Sequence, residues 1–374
     1  MTTRVPVNPD LLDWALGRAG LSADALAGKF PKLREWLTGE LAPTLKQLEA
    51  FATTTHTAIG LLFLPQPPEE PLPIPDFRTL PEARMSRPSA DLLDTIYLCQ
   101  QRQAWYRDHQ YLYGAQPLDF VGSVSVGDEI PDVAARIART IGFDLDERSQ
   151  LSNWSEALRH LIAQIEAAGV LVMVSGVVGS NTHRPLRVEE FRGFALADAL
   201  APLIFVNGKD SKAAQMFTLA HELAHLWLGE SGVSDAQAAS HPDEATERWC
   251  NAVAAELLVP LATLRQVYQP SDDLQADLQQ LARRFKVSTL VIVRRLYDLG
   301  ALNEETLWRV YREELERVKA LSTREGGGGD FYNSLGARVS KRFASAVVGS
   351  TLEDQTGFTE AFRMLGIKKS VLSI

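Results

Sequence analysis

Three residues of this chain have the types and spacing of a metal-assisted hydrolytic site. They are His221, Glu222 and His225, in the segment FTLAHELAHLWLG from Phe217 to Gly229. Phe217, Leu219, Ala220, Leu223, Ala224, Leu226 and Leu228 are apolar and no proline interrupts them, so the segment reads as a helix. Residues four apart project from one helical face, which lets two imidazoles reach one zinc ion. Glu222 sits beside the first histidine. Its carboxylate is placed to take the proton of a water whose pKa the metal lowers, and the resulting hydroxide would attack a polarised carbonyl. Gly229 can end the helix. The competing reading is two histidines packed on an amphipathic helix beside a solvated glutamate. Paired histidines in such apolar surroundings need partners, and this favours the metal.

A zinc site needs a third protein ligand, and a catalytic one keeps its fourth position for water. Downstream lies HPDEATERWCNAVAAELLVP, His241 to Pro260, helical from about Asp243 and closed by proline. A helix packed beside the first could deliver a carboxylate. Glu247 is the first choice, Glu244 lies one turn earlier on nearly the same face, and Glu256 is the third. Residue types alone leave all three open. Cys250 reads as a small core residue rather than a soft ligand. His183, with Arg184 in the loop SNTHRP, is a weaker candidate for stabilising a developing oxyanion. His241, in the loop before the glutamate helix, is another weak candidate.

The elements that must hold these residues follow from pattern. The chain has 374 residues, 45% hydrophobic and 23% charged, which suits a soluble globular protein of two or three domains. Residues 1–63 read as a helical domain. Asn8 caps a first helix and Ser22 a second over Ala23 to Phe30, and Thr44 to Thr53 forms a third. Residues 64–88 open with LPQPPEEPLPIPDFRTLP, so rich in proline that they must be an extended linker or strap. Residues 89–268 read as the metal-binding domain, with helices at Ser89–Tyr111, Pro131–Ile141 and Ser155–Ala168. Strands follow at Gly169–Ser175, Phe191–Leu196 and Leu203–Asn207. Helices separated from a few strands predict an α+β fold, mostly helical, with a small antiparallel sheet. Residues 269–325 read as a helical hairpin region, and 326–374 as a glycine-rich hinge, Gly326 to Gly329, with a helical tail.

No apolar run is long enough to span a bilayer, and the N-terminus lacks the pattern of a secretion signal. Two cysteines, Cys99 and Cys250, fit a reducing cytoplasm. The net charge of −9 argues against wholesale wrapping of nucleic acid, although an acidic average can hide a local basic face.

AQMFTLAHELAHLWLG and, after a gap, ERWCNAVAAELLVP resemble the two signature helices of the ImmA/IrrE family of metallo-endopeptidases. The resemblance implies a gluzincin-like fold and a zinc cofactor. It places Glu247 in the third-ligand position, with Asn251 four residues later. It also implies that the stretch RGFALADALAPLIFVN includes an edge strand to which a substrate peptide would add. Cys250 stands where that family commonly has alanine and Val253 where it commonly has an aromatic residue. One subgroup further resembles the chain in an N-terminal Cro/repressor-type helix-turn-helix, a PDFRT connector and a GGGDFY tail. Relatives cleave or control a repressor, and members of this architecture are often encoded beside toxin-like proteins.

Within Leu11 to Ala52, however, the stretch from Ala27 to Trp36 is short by about one helical turn for a recognition helix, and Pro31 falls inside it. Only Lys29, Lys32 and Arg34 are on hand to contact DNA, with Glu35, Glu40 and Glu49 around them. Weak phosphate contact is the expectation. A second helix-turn-helix pattern, Leu278 to Gly300, reads better as a hairpin packed beside the metal site. The sequence therefore predicts a zinc endopeptidase that cleaves one repressor- or antitoxin-like protein. The alternative is a regulator or antitoxin component that uses the same fold to hold a protein partner or DNA without cutting. Oligomeric state is not legible.

Overall fold

The computed structural model describes residues 4–78, 88–234, 245–322 and 337–367, and the side chains of all of these but 318–322. The chain forms two compact units, Met1–Pro73 with Pro81–Tyr97, and Ile74–Leu80 with Leu98–Ile374.

In the first unit, Asn8 caps α1 (Pro9–Arg18) by accepting a bond from the Asp10 amide, as its position before proline dictates. α2 (Leu33–Leu37) is a short turn of helix. α3 (Leu45–Thr54) opens with a capping box between Thr44 and Gln47. Leu11, Leu12, Ala15, Leu33, Trp36, Leu48 and Phe51 close one small core. The helix expected over Ala23–Phe30 does not form. That stretch is a series of turns, with Leu26, Ala27 and Lys29 amides bonded three residues back. Gly28 disfavours helix, and Pro31 forces Phe30 out of the helical region.

The second unit begins within α4 (Ala90–Leu112) and continues through α5 (Ile130–Ile141), α6 (Leu145–Gln150) and α7 (Trp154–Ala167). Then come β1 (Leu171–Ser175), β2 (Gly193–Leu196), β3 (Leu203–Asn207), α8 (Lys212–Leu228) and β4 (Gly232–Ser234). α9 (Ala245–Leu258), α10 (Leu261–Val267), α11 (Leu274–Phe285), α12 (Thr289–Asp298), α13 (Glu304–Ser322), α14 (Lys341–Leu352) and α15 (Phe358–Leu365) complete it. The architecture among the described residues is thus α+β and mostly helical. Sequence periodicity placed most of these elements to within a few residues.

The sheet departs from expectation in two ways. Its strand order is β1-β3-β2-β4, and β1 pairs with β3 in parallel while the other pairs are antiparallel. It is therefore mixed, not antiparallel. After β1 the chain passes the central slot, lays down β2, and returns through Pro202 to fill the slot with β3. All five residues of β3 are buried, the mark of a strand covered on both faces. On one face Val172, Ala195, Ile204 and Val206 join the core of α7, α8 and α9. On the other, Phe194 stacks on Phe205 with centroids 5.0 Å apart, and Gln103 of α4 donates to the carbonyls of Leu196 and Ala201. The second departure is that RGFAL supplies β2, an interior strand. The edge on that side is β4.

The α11–α12 hairpin packs into the same core as α8 and α9 through Leu278, Phe285, Ile292 and Leu296. Arg148 of α6 fastens it by donating to the Phe285 carbonyl at 3.0 Å and the Lys286 carbonyl at 3.3 Å. Lys286 holds a positive φ of 54° at the helix end, so its carbonyl turns outward to accept that bond. Burial drives the Arg148 pKa down to about 10, and those carbonyls are what satisfy the guanidinium.

Candidate metal centre

α8 is set by its caps. The Ser211 side chain accepts from the Ala214 amide at the start, and Gly229 ends the helix at φ 74°. A side chain at Gly229 would be strained by that φ and would meet the Gly122 Cα at 2.9 Å. Close passage matters here because the Gly122 and Val124 amides donate to the Leu226 and Trp227 carbonyls, in the last turn where intrahelical donors run out. The last turn, which carries His225, is thereby held from both sides.

His221 and His225 share a face of α8, with their Nε2 atoms 3.1 Å apart. Glu247 in the first turn of α9 spans them: one carboxylate oxygen is 3.3 Å from His221 Nε2 and the other 2.9 Å from His225 Nε2. These three residues form the one group among the described residues whose donor atoms converge in the manner of a metal site. Tetrahedral zinc with bonds of about 2.0–2.1 Å needs donors roughly 3.3 Å apart, and this cluster meets that spacing. All three residues are at most 1% exposed.

Electrostatics follow from that burial. Glu247 is pushed up by desolvation, but the two imidazoles more than offset this and bring its pKa down to about 2. His221 is lowered by burial, and the charge and hydrogen bond of Glu247, with help from Glu222 and Asn251, raise it overall. His225 is lowered, chiefly by burial. The cluster holds itself as a buried carboxylate shared with histidines, a dense set of donors in the interior.

Glu222 reaches toward β4 and β2. One of its carboxylate oxygens accepts a hydrogen bond from Ser234 Oγ on β4, while the other is buried without a hydrogen-bond partner. Burial pushes its pKa up to about 8, against the opposing pull of His221 and Ser234. Gly193 of β2 makes room for it. A Cβ there would lie 2.6 Å from Thr218 Cγ2, 2.9 Å from the Phe205 carbonyl and 3.0 Å from the Glu222 carboxylate. Gly193→Ala is therefore expected to destabilise the protein by about 1–3 kcal/mol, the usual cost of overpacking. A lower denaturant midpoint at unchanged slope would report it, and an unchanged midpoint would mean that the glutamate moves aside freely.

The other residues singled out from sequence separate from this cluster. Glu256 accepts from Arg295 and from the Leu261 amide, so it is committed to the α9–α12 contact. Cys250 is fully buried, and burial raises its thiol pKa well above normal, as befits a core residue. His183 lies exposed on its loop and is not among the converging donors. Glu244 and His241 lie outside the described residues. In the first unit Lys29 and Lys32 line a pocket of about 770 Å³ with Arg4 and Lys46, whereas Arg34 is exposed and paired with Asp24. Sequence reasoning missed Ser234, Gly193 and Phe77. Phe77 stacks flat on His225 with ring centroids 5.4 Å apart and planes 4° from parallel. None of the three lies at a fixed spacing from HELAH, so no local signal could have revealed them.

Residues 165–297 match the Peptidase_M78 family model, described as an IrrE N-terminal-like domain. The match covers β1 to β4 and the helices bearing all four site residues, and it supports a metallopeptidase-type domain in this part of the chain. Residues 339–373 match a model described as a domain of unknown function. No curated protein matches the chain. No helix among the described residues is long and apolar enough to cross a membrane.

Proposed function

We propose, from a metallopeptidase-type domain at residues 165–297, that the protein is a zinc-dependent endopeptidase with a narrow protein substrate, repressor- or antitoxin-like in kind. The observation that carries this reading is the convergence of His221, His225 and Glu247 with Glu222 beside them. Zinc held by the three donors would supply Lewis acidity to a peptide carbonyl and acidity to a water. His and carboxylate donors suit zinc. Glu222 is the proton carrier: its unpartnered oxygen takes a proton from water and returns it to the leaving amine. Ser234 fixes the other oxygen, so the carboxylate cannot swing away. A bound cation favours the ionised form that a base needs, against the burial that otherwise keeps this group protonated.

The test is cleavage of a co-expressed repressor-like protein by the zinc-loaded chain. A single new N-terminus, found by mass spectrometry, should vanish with a chelator and return with zinc. Cleavage that survives complete metal removal would end the hydrolase reading.

A second reading is a protein-binding regulator that does not cut, with or without DNA contact from the first unit. It is favoured by one observation: His221, Glu222 and His225 are each 0% exposed, so this conformation admits no peptide. A stable, uncleaved partner that resists chelator would mark that outcome.

A further inference from the structure

The segment Ile74–Arg78 belongs to the second unit and runs along the outer side of β4. The Phe77 amide donates to the Val233 carbonyl at 2.9 Å, and the Val233 amide donates to the Pro75 carbonyl at 3.0 Å. These bonds form a parallel bridge between Asp76 and Val233. Without them β4 would present a bare edge, an invitation to any extended chain. The Phe77 ring lies over His225 and presses on Gly232, where an added Cβ would overlap it. Arg78 is 1% exposed and grips the Asp76 carboxylate with two nitrogens, each at 2.8 Å. The Arg78 amide also bonds that carboxylate at 3.1 Å.

Everything about this segment is what a docked peptide needs: extended backbone, main-chain bonds to a sheet edge, and one large side chain in a shaped seat. The seat consists of a metal-ligand imidazole and a glycine, so only a flat ring fits it well. The geometry points to Ile74–Arg78 as an internal occupant of the peptide-docking edge of β4. The substrate or partner is then an extended segment that takes its place, with an aromatic side chain over Gly232 and His225. This inference rests on the proposed reading of the metal centre.

The test uses the full chain, zinc-loaded, and a fluorescein-labelled peptide of sequence LPIPDFR, the chain's own Leu72–Arg78. In the native protein the tethered segment competes at an effective concentration on the order of millimolar, so micromolar peptide should not bind. Phe77→Ala removes the competing ring and should bind the peptide at least about tenfold more tightly by fluorescence anisotropy, the scale of one lost aromatic contact. The same peptide with alanine for phenylalanine should not gain. Equal binding by Phe77→Ala and the native chain, or equal binding of both peptides, overturns the proposal.

Gly232→Ala expels the ring from the opposite side and leaves Phe77 in the sequence. It should lose zinc to a chelator several-fold faster than the native chain, as Phe77→Ala should, yet fail to capture the peptide. Unchanged zinc loss in both variants overturns the covering role. Failure of the hydrolase reading looks different. Peptide capture by the Phe77→Ala, Glu222→Gln double variant, with no cleavage by Phe77→Ala alone, upholds docking and sinks hydrolysis. Cleavage of a protein substrate without peptide capture does the reverse.

Discussion

Glu222→Gln is expected to lower kcat by about 10²- to 10⁴-fold, the range for removal of a positioned general base, while leaving zinc content unchanged. Glu222 is not among the converging donors, so its loss leaves those donors intact. Its one satisfied oxygen bonds Ser234 Oγ, and the amide oxygen of glutamine can accept the same bond. The neutral amide also suits a position where burial already opposes the charge. The variant should therefore fold and melt like the native protein, which separates lost chemistry from lost structure. Single-turnover cleavage of the identified substrate, with zinc measured on the same sample, decides the matter. Native rates with full zinc occupancy would remove Glu222 from the mechanism.

Glu247→Ala should have the larger structural effect. This carboxylate contacts both imidazoles and is 1% exposed. Removing it from the metal-free protein strips His221 of its carboxylate partner in the interior, a change that typically costs about 3–5 kcal/mol. Removing it from the loaded protein takes away one of three protein donors. Zinc at a hundredfold excess over Kd stabilises a binding-competent fold by about 2.7 kcal/mol. The native chain should accordingly melt higher with zinc, and Glu247→Ala should not respond. Glu256→Ala is the matched control on the same helix. It breaks the bond to Arg295 but should leave zinc stoichiometry untouched. Full metal content in Glu247→Ala would move the third ligand elsewhere, with Glu244 next to be tested.

The two variants sort what was legible in the sequence from what was not. The helix with His221, Glu222 and His225 could be read from period and spacing, because both are local properties of one element. Glu247 needed more. Several glutamates share its helix, and residue types alone could not say which one faces the metal; the resemblance chose, and the packing of α9 on α8 places Glu247 against both histidines. β4 escaped notice because Gly232–Ser234 is three residues long and exists only through pairing with β2. Ser22 and the apolar residues after it suggested a helix over Ala23–Phe30. There the backbone limits imposed by Gly28 and Pro31 outweighed the cap. Composition suggested that the proline-rich segment is extended, but it could not say that Asp76 would pair with Val233.

That segment has an odd place in the chain. Ile74–Leu80 belongs to the second unit, while the residues on either side of it, through Pro73 and from Pro81, belong to the first. Its hold on β4 has a dynamic signature. The Phe77 and Val233 amides, bonded across that pairing, should exchange with solvent at one common rate, because both are freed only when the segment lifts from β4.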